Sequence, residues 1–250
     1  MARAKIVLPS ILTKDSWFYK ENKDMCDPHL GKPYISYSTS TSWISYREDL
    51  IKQKFAKIKL DTKKLYAELG NYLGEAVEKG KFGENPNQFT GQENFNLIPR
   101  PEGAEYEKMI LIDMGDYIIL GFIDIFLETS EFELPEKVGG RTNVKIAVAN
   151  VQDLKTGGKE KEAEYASEDY TQVILYAKDL ENRGYKIGKT SVWFVRRTGS
   201  HVNPPLHISD EQFEIPLEYN EARVDFALKK IDKSVREISD CYKTYLKFFG

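Results

Sequence analysis

Two apolar runs in this chain end in acidic residues, and they limit what it can fold into. The first, Tyr117-Ile-Ile-Leu-Gly-Phe-Ile-Asp-Ile-Phe126, carries Asp124 near its end. The second, from Val144 to Leu154, runs into Val151-Gln-Asp-Leu-Lys-Thr-Gly157. Both read as strands. Lys108-Met-Ile-Leu-Ile-Asp113 is a third, joined to the first run by a short turn at Met114-Gly115-Asp116. Further strands are expected at Thr190–Arg196 and, as an edge strand limited by Pro216, at Phe213–Leu217.

Helical periodicity surrounds these strands. An amphipathic stretch from Ser42 to Phe55 follows the hydroxyl-rich start Tyr37-Ser-Thr-Ser-Thr-Ser-Trp43, which offers several caps. Leu65, Leu69, Tyr72, Leu73, Ala76 and Val77 mark a helix from about Thr62 to Lys79, ended by Gly80 and Gly83. Residues 83–101 and 156–166 read as loops, and Ser167–Asn182 as a helix. A last helix, about Asn220 to Phe248, carries Val224, Ala227, Leu228, Ile231, Val235 and Ile238. The order predicts an α/β fold: a central mixed β-sheet flanked by helices, with helical additions at both ends.

The 250 residues suit one domain, and 41% hydrophobic content supplies a core. The net charge of −3 weighs against a nucleic-acid coat protein but leaves room for a local basic track. No apolar run is long enough to span a bilayer, so no membrane partner is expected. The N-terminus makes a poor secretory signal, and a cytoplasmic location is expected. With two cysteines, Cys26 and Cys241, one chain cannot supply a four-cysteine iron–sulfur site.

Asp153 and Lys155 lie two apart on a strand and therefore face the same way. If their strand neighbours the one bearing Asp124, two carboxylates and an ammonium converge at the rim of a sheet. Such oxygen donors suit a hard cation, which can acidify a water and neutralise charge during phosphodiester hydrolysis.

These segments resemble the core of the PD-(D/E)XK nucleases, in which an acidic residue precedes a D/E-x-K element on the next strand. Asp153-Leu-Lys-Thr-Gly157 is similar to the RecB-like, phage-type exonuclease branch. Asp169-Tyr-Thr-Gln172-Val-Ile-Leu-Tyr176 resembles its Q-x-x-x-Y motif, and Gly70-Asn-Tyr-Leu-Gly-Glu-Ala-Val-Glu78 its G-x-x-x-H-x-x-x-E helix. The histidine of that helix is replaced by Gly74, which points to a site of oxygen ligands. The likeness runs from about Tyr37 to Arg197.

The resemblance implies a restriction-endonuclease-like core at about residues 60–200 within a single domain, and a deoxyribonuclease dependent on Mg2+ or Mn2+. Asp124, Asp153, the Leu154 carbonyl and Glu78 are then the expected metal ligands. Lys155 would position the attacking water and stabilise the transition state. Gln172 and Tyr176 would support the site or touch DNA, and Glu75 competes with Glu78 for the acidic position. An exonuclease acting in recombination, repair or phage DNA processing is expected, with a recombination or replication protein as a further partner. The alternatives are a structure-selective or restriction-type endonuclease and a non-cleaving DNA-binding subunit. Arg196 and Arg197 are candidates for phosphate contact or a plain surface pair. Capping and core packing account for Ser38, Ser40 and Trp43. His29, His201 and His207 show no ligand spacing.

Overall fold

The computed structural model describes residues 34–60, 65–85, 89–91, 100–133, 144–199 and 206–249. In chain order the elements are β1 (Tyr34–Ser36), α1 (Tyr37–Ser45), α2 (Arg47–Leu50), a π-helical turn (Ile51–Phe55), α3 (Leu65–Lys79), β2 (Glu105–Asp113), β3 (Ile118–Glu133), β4 (Val144–Gly157), α4 (Lys159–Ala166), α5 (Gln172–Asn182), β5 (Lys186–Thr198), β6 (His207–Pro216) and α6 (Glu221–Phe249). The sheet is mixed, in the order β1-β3-β4-β5-β6, with β2 also paired to β3. β1 runs parallel to β3, β3 antiparallel to β4, β4 parallel to β5 and β5 antiparallel to β6. This is the expected α/β architecture.

The chain divides into two compact units. The first contains residues up to Asp61, Met109–Gly121 and Asp225 onward. Here the Ser36 hydroxyl accepts from the Thr39 N–H at 3.1 Å and caps α1, two residues ahead of Ser38, the first of the expected caps. Ser40 and Trp43 are buried. The Trp43 indole donates to Glu237 of α6 at 3.0 Å, and Arg47 reaches the same oxygen at 2.7 Å. The capping and packing account of this segment therefore holds for Ser40 and Trp43. Phe55 packs against Tyr242 with ring centroids 4.8 Å apart.

The second unit contains Thr62–Lys108 and Phe122–Val224. Its core joins Leu69, Leu73 and Val77 of α3 to Ile125 of β3, Val195 of β5 and Ile208 of β6, with Leu154 and Trp193 packed against them. Burying such side chains contributes about 1.5–3 kcal/mol each. Two close approaches set the register of β4. A Cβ at Gly188 would meet the Asn150 side chain at 2.7 Å, so only glycine lets β5 bulge there. The Asn150 carboxamide fills that space, accepting from Lys189 N–H at 2.9 Å and donating to the Leu127 carbonyl at 3.2 Å. Downstream of the bulge, Asp153 pairs with Val192 and Lys155 with Phe194. At the end of β4 a Cβ on Gly157 would collide with Lys161 at 2.5 Å, so glycine admits α4 against the strand.

Two expectations need correction. Residues 159–166, expected as loop, form α4, a helix of Lys, Glu and Ala with one tyrosine, Tyr165, no buried residue and hence no apolar stripe to read. The helix expected from Ser167 begins only at Gln172. Among the described residues no helix is long and apolar enough to cross a membrane.

Candidate active site

The β3–β4 ladder runs from Glu133↔Val144 to Ile125↔Gln152 and stops. Beyond that point Asp124 Oδ2 accepts from the Leu154 N–H at 2.7 Å. A side chain thus takes over a strand amide at the place where pairing ends.

Alternation decides the faces. Ile125 and Leu154 point into the core under α3. Asp124, Asp153 and Lys155 therefore point to the other face, which carries α5. Asp153 is buried, with 2% of its side chain exposed, and Lys155 Nζ lies 2.5 Å from its Oδ2. The Tyr170 hydroxyl donates to the same oxygen at 2.5 Å. Gln172, the first residue of α5, donates from Nε2 to Asp153 Oδ1 at 2.7 Å. The structure thus brings together Asp124, Asp153, Lys155 and Gln172.

Burial raises the Asp124 carboxyl well above the usual carboxylate range, and the Asp153 charge beside it adds to the rise. Lys155 and the Leu154 N–H oppose it without cancelling it. For Lys155, burial alone would lower the pKa, but Asp153 and then Asp124 outweigh burial and hold it above the ordinary lysine value. Tyr165 of α4 lies beside this lysine; burial raises its hydroxyl, and the Lys155 charge partly offsets that.

The residues fit a hard divalent cation. Two carboxylates sit together with more negative charge than burial tolerates, which is the condition a cation relieves. A carboxylate has about four acceptor positions. Three on Asp153 are taken by Tyr170, Gln172 and Lys155, and the Asp124 carboxyl lies in hydrogen-bond contact with it as well, a contact that a cation between the two would replace.

Other candidates lie elsewhere. Glu78 is half-buried on α3, the helix that packs on the Leu154 face. Among the described residues no three His, Cys, Asp or Glu side chains group as a metal cluster, so Glu78 does not join the two aspartates. Glu75 pairs with Lys79 at 2.8 Å on the same helix. Tyr176, one turn beyond Gln172, is buried in the core at 2% exposure. Arg196 is held between Glu162, at 2.6 Å, and Glu211. Arg197 lies over the Tyr66 ring, 4.1 Å from its centroid. His207 contacts Thr90 at 3.2 Å, away from the carboxylates; His29 and His201 lie outside the described residues.

Sequence reasoning passed over Tyr170 and Arg223. Tyr170 closes a turn, its N–H bonded to the Ser167 carbonyl at 3.1 Å, and that turn aims the phenol at Asp153. Arg223 donates to the carbonyls of Ser167 at 3.3 Å and Tyr170 at 3.4 Å, clamping the turn from outside. The available signal for Tyr170 was a polar Ser167-Glu-Asp169 stretch ahead of an apolar helix, which marks a turn as readily as a helix start.

The fold is mixed α/β, a central mixed sheet flanked by helices. No protein-family model matches this chain, and no curated protein matches it. A crystal structure from Eubacterium rectale, described as "Putative exonuclease", is similar at a TM-score of 0.49 and 15% identity, over 91% of this chain and 85% of that one. No functional conclusion rests on that likeness.

Proposed function

We propose that this chain is a divalent-metal-dependent deoxyribonuclease, and within that class an exonuclease of the PD-(D/E)XK type. The observation that carries the reading is the pair Asp124–Asp153, Asp153 buried and Asp124 partly so, with Lys155 bound to Asp153 at the rim of the sheet. Asp124 and Asp153 would hold Mg2+ or Mn2+. The N–H and C=O of one extended residue point to the same side of a strand. The Leu154 carbonyl therefore faces Asp124 as its N–H does, which supports it as a further ligand. When bound, the cation supplies Lewis acidity and a water of lowered pKa.

The chain's own groups do the rest. Lys155 stays protonated at neutral pH, so it acts as a donor towards the water and the scissile phosphate, not as a base. Tyr170 and Gln172 fix the Asp153 carboxylate through both its oxygens, which keeps its remaining acceptor position aimed. Glu78 stands outside this arrangement.

The test is incubation of linear and covalently closed circular duplex DNA with Mg2+, Mn2+ or EDTA, beside Asp153→Ala. Metal-dependent loss of linear DNA alone, absent in the variant, supports the exonuclease. Cutting of circles assigns an endonuclease instead. An Asp153→Ala protein that still cleaves overturns the site.

A further inference from the structure

Tyr165 is the one aromatic residue of α4, set among Lys, Glu and Ala. A helix of that composition has no apolar stripe to dock it on a sheet. Side-chain contacts with β5 and the turn before α5 hold it instead. Glu162 pairs with Arg196 of β5 at 2.6 Å. One turn further on, the Tyr165 ring lies 5.8 Å from Phe194 of β5 and meets Tyr170 edge-on at 5.3 Å.

These contacts fix the face on which Tyr165 sits. Phe194 is the partner of Lys155 in the β4–β5 ladder, so the two side chains point the same way. Tyr170 donates to Asp153. Tyr165 therefore stands on the side of the sheet that carries Asp124, Asp153 and Lys155, and Lys155 is the charge that acts on it most strongly.

Its hydroxyl is uncommitted. Among the described residues no group hydrogen-bonds to it; its contacts are the two rings and the charges nearby. The phenol of Tyr170 and the amide of Gln172, by contrast, are both engaged with Asp153. Phenylalanine would make the same ring contacts without placing a polar group in a desolvated setting. The hydroxyl thus adds nothing to the packing of α4, and it remains available to a ligand.

The surroundings say which ligand. Tyr165 is half-buried and keeps its proton at neutral pH, because burial raises its pKa. A hydroxyl beside an ammonium turns its oxygen towards the charge and its proton outward, as a donor. A phenol and an ammonium side by side suit one anionic oxygen. Asp153 does not fill that role for Tyr165, since Tyr170, Gln172 and Lys155 already occupy it.

We propose that the Tyr165 hydroxyl is a second donor, beside Lys155, to a non-bridging oxygen of the phosphate being cleaved. The proposal rests on the nuclease reading and adds a catalytic residue to it. Those oxygens gain charge as phosphorus is attacked, so a fixed donor aimed at them favours the transition state over the bound substrate. The hydroxyl gives a hydrogen bond throughout and transfers no proton. Glu162 and Arg196 are its positioning residues, because they hold α4 in place.

The test compares Tyr165→Phe with the unaltered chain on linear duplex DNA in Mg2+. The variant keeps both ring contacts and should melt at the same temperature. Its rate at saturating substrate should fall about ten- to a hundredfold, with KM changed by less than about twofold. A second substrate carries a phosphorothioate, as separated diastereomers, at the linkage cleaved first. Sulfur is a weak acceptor, so with one diastereomer the two proteins should cleave at equal rates. A variant as fast as the unaltered chain, beside an inactive Asp153→Ala, overturns the proposal and leaves the nuclease reading standing. An equal penalty on the phosphate and on both diastereomers also overturns it, since the hydroxyl then acts away from those oxygens. An unaltered chain that cleaves no DNA overturns both readings.

Discussion

Asp124 Oδ2 accepts the Leu154 N–H at 2.7 Å, so the residue between Asp153 and Lys155 is anchored by the other member of the carboxylate pair. The bond ties the geometry of one strand end to the charge state of its neighbour. Protonating, substituting or neutralising Asp124 must therefore act on stability as well as on activity.

The raised pKa of Asp124 gives a signed prediction for the metal-free protein. In the window from the ordinary carboxylate pKa up to the raised folded value, the native state binds more protons than the unfolded state. Stability from this group is full below the window and is lost as pH rises through it, by up to about 1.4 kcal/mol per pH unit. Asp124→Asn keeps an acceptor for Leu154 but does not titrate. Urea melts in EDTA should show the difference between the two proteins moving in favour of the variant from acid to neutral pH. A constant difference would refute the linkage.

Mg2+ or Mn2+ should reverse that loss in the unaltered protein and leave Asp124→Asn nearly unaffected. Saturation at one hundred times Kd corresponds to about 2.7 kcal/mol. Equal metal-induced shifts in melting temperature for both proteins would place the cation elsewhere.

Tyr170→Phe removes the donor to Asp153 Oδ2 and the longer contact with Gln172 Oε1 at 3.2 Å. It should cost about 1–2 kcal/mol in stability. It should also weaken Mn2+ binding by calorimetry, because the carboxylate is then held by Gln172 and Lys155 alone. Unchanged Mn2+ affinity would mean that the phenol does not orient the carboxylate.

Arg223→Ala should loosen the turn that presents Tyr170, for a loss of roughly 1–3 kcal/mol. Hydrogen exchange at the Tyr170 amide, bonded to the Ser167 carbonyl, should speed up. Arg223→Lys should not restore it, since a single ammonium cannot span the separate carbonyls. Protection equal to that of the unaltered chain would rule the clamp out.

Glu78→Gln separates motif from geometry. With α3 on the Leu154 face, the variant should keep activity within a few-fold, against a loss of at least about a thousandfold for Asp153→Asn. A comparable collapse in both would return Glu78 to the site.

Alternation along β4 made the shared face of Asp153 and Lys155 legible in the sequence, and apolar runs made the strands themselves legible. Charge-rich α4 escaped notice because helical periodicity is visible only when one face is buried, and none of its residues is. Tyr170 was absorbed into a helix that starts two residues later. What separates turn from helix there is the Ser167 hydroxyl, which takes the Asp169 N–H at 3.0 Å. Spacing along α3 aligned Glu78 with a motif, but spacing cannot say which face of a sheet a helix covers.

Nine residue pairs, Ile125↔Gln152 through Glu133↔Val144, lie between the carboxylates and the far end of the β3–β4 ladder. Asp124 and Asp153 are thus held together by counting along matched strands, independently of the length of chain joining Glu133 to Val144. That makes the connection a natural port for grafting: an inserted tag or sensor domain there would ride at one end of a rigid ribbon, while a single deletion within the ribbon would turn one aspartate away from its twin.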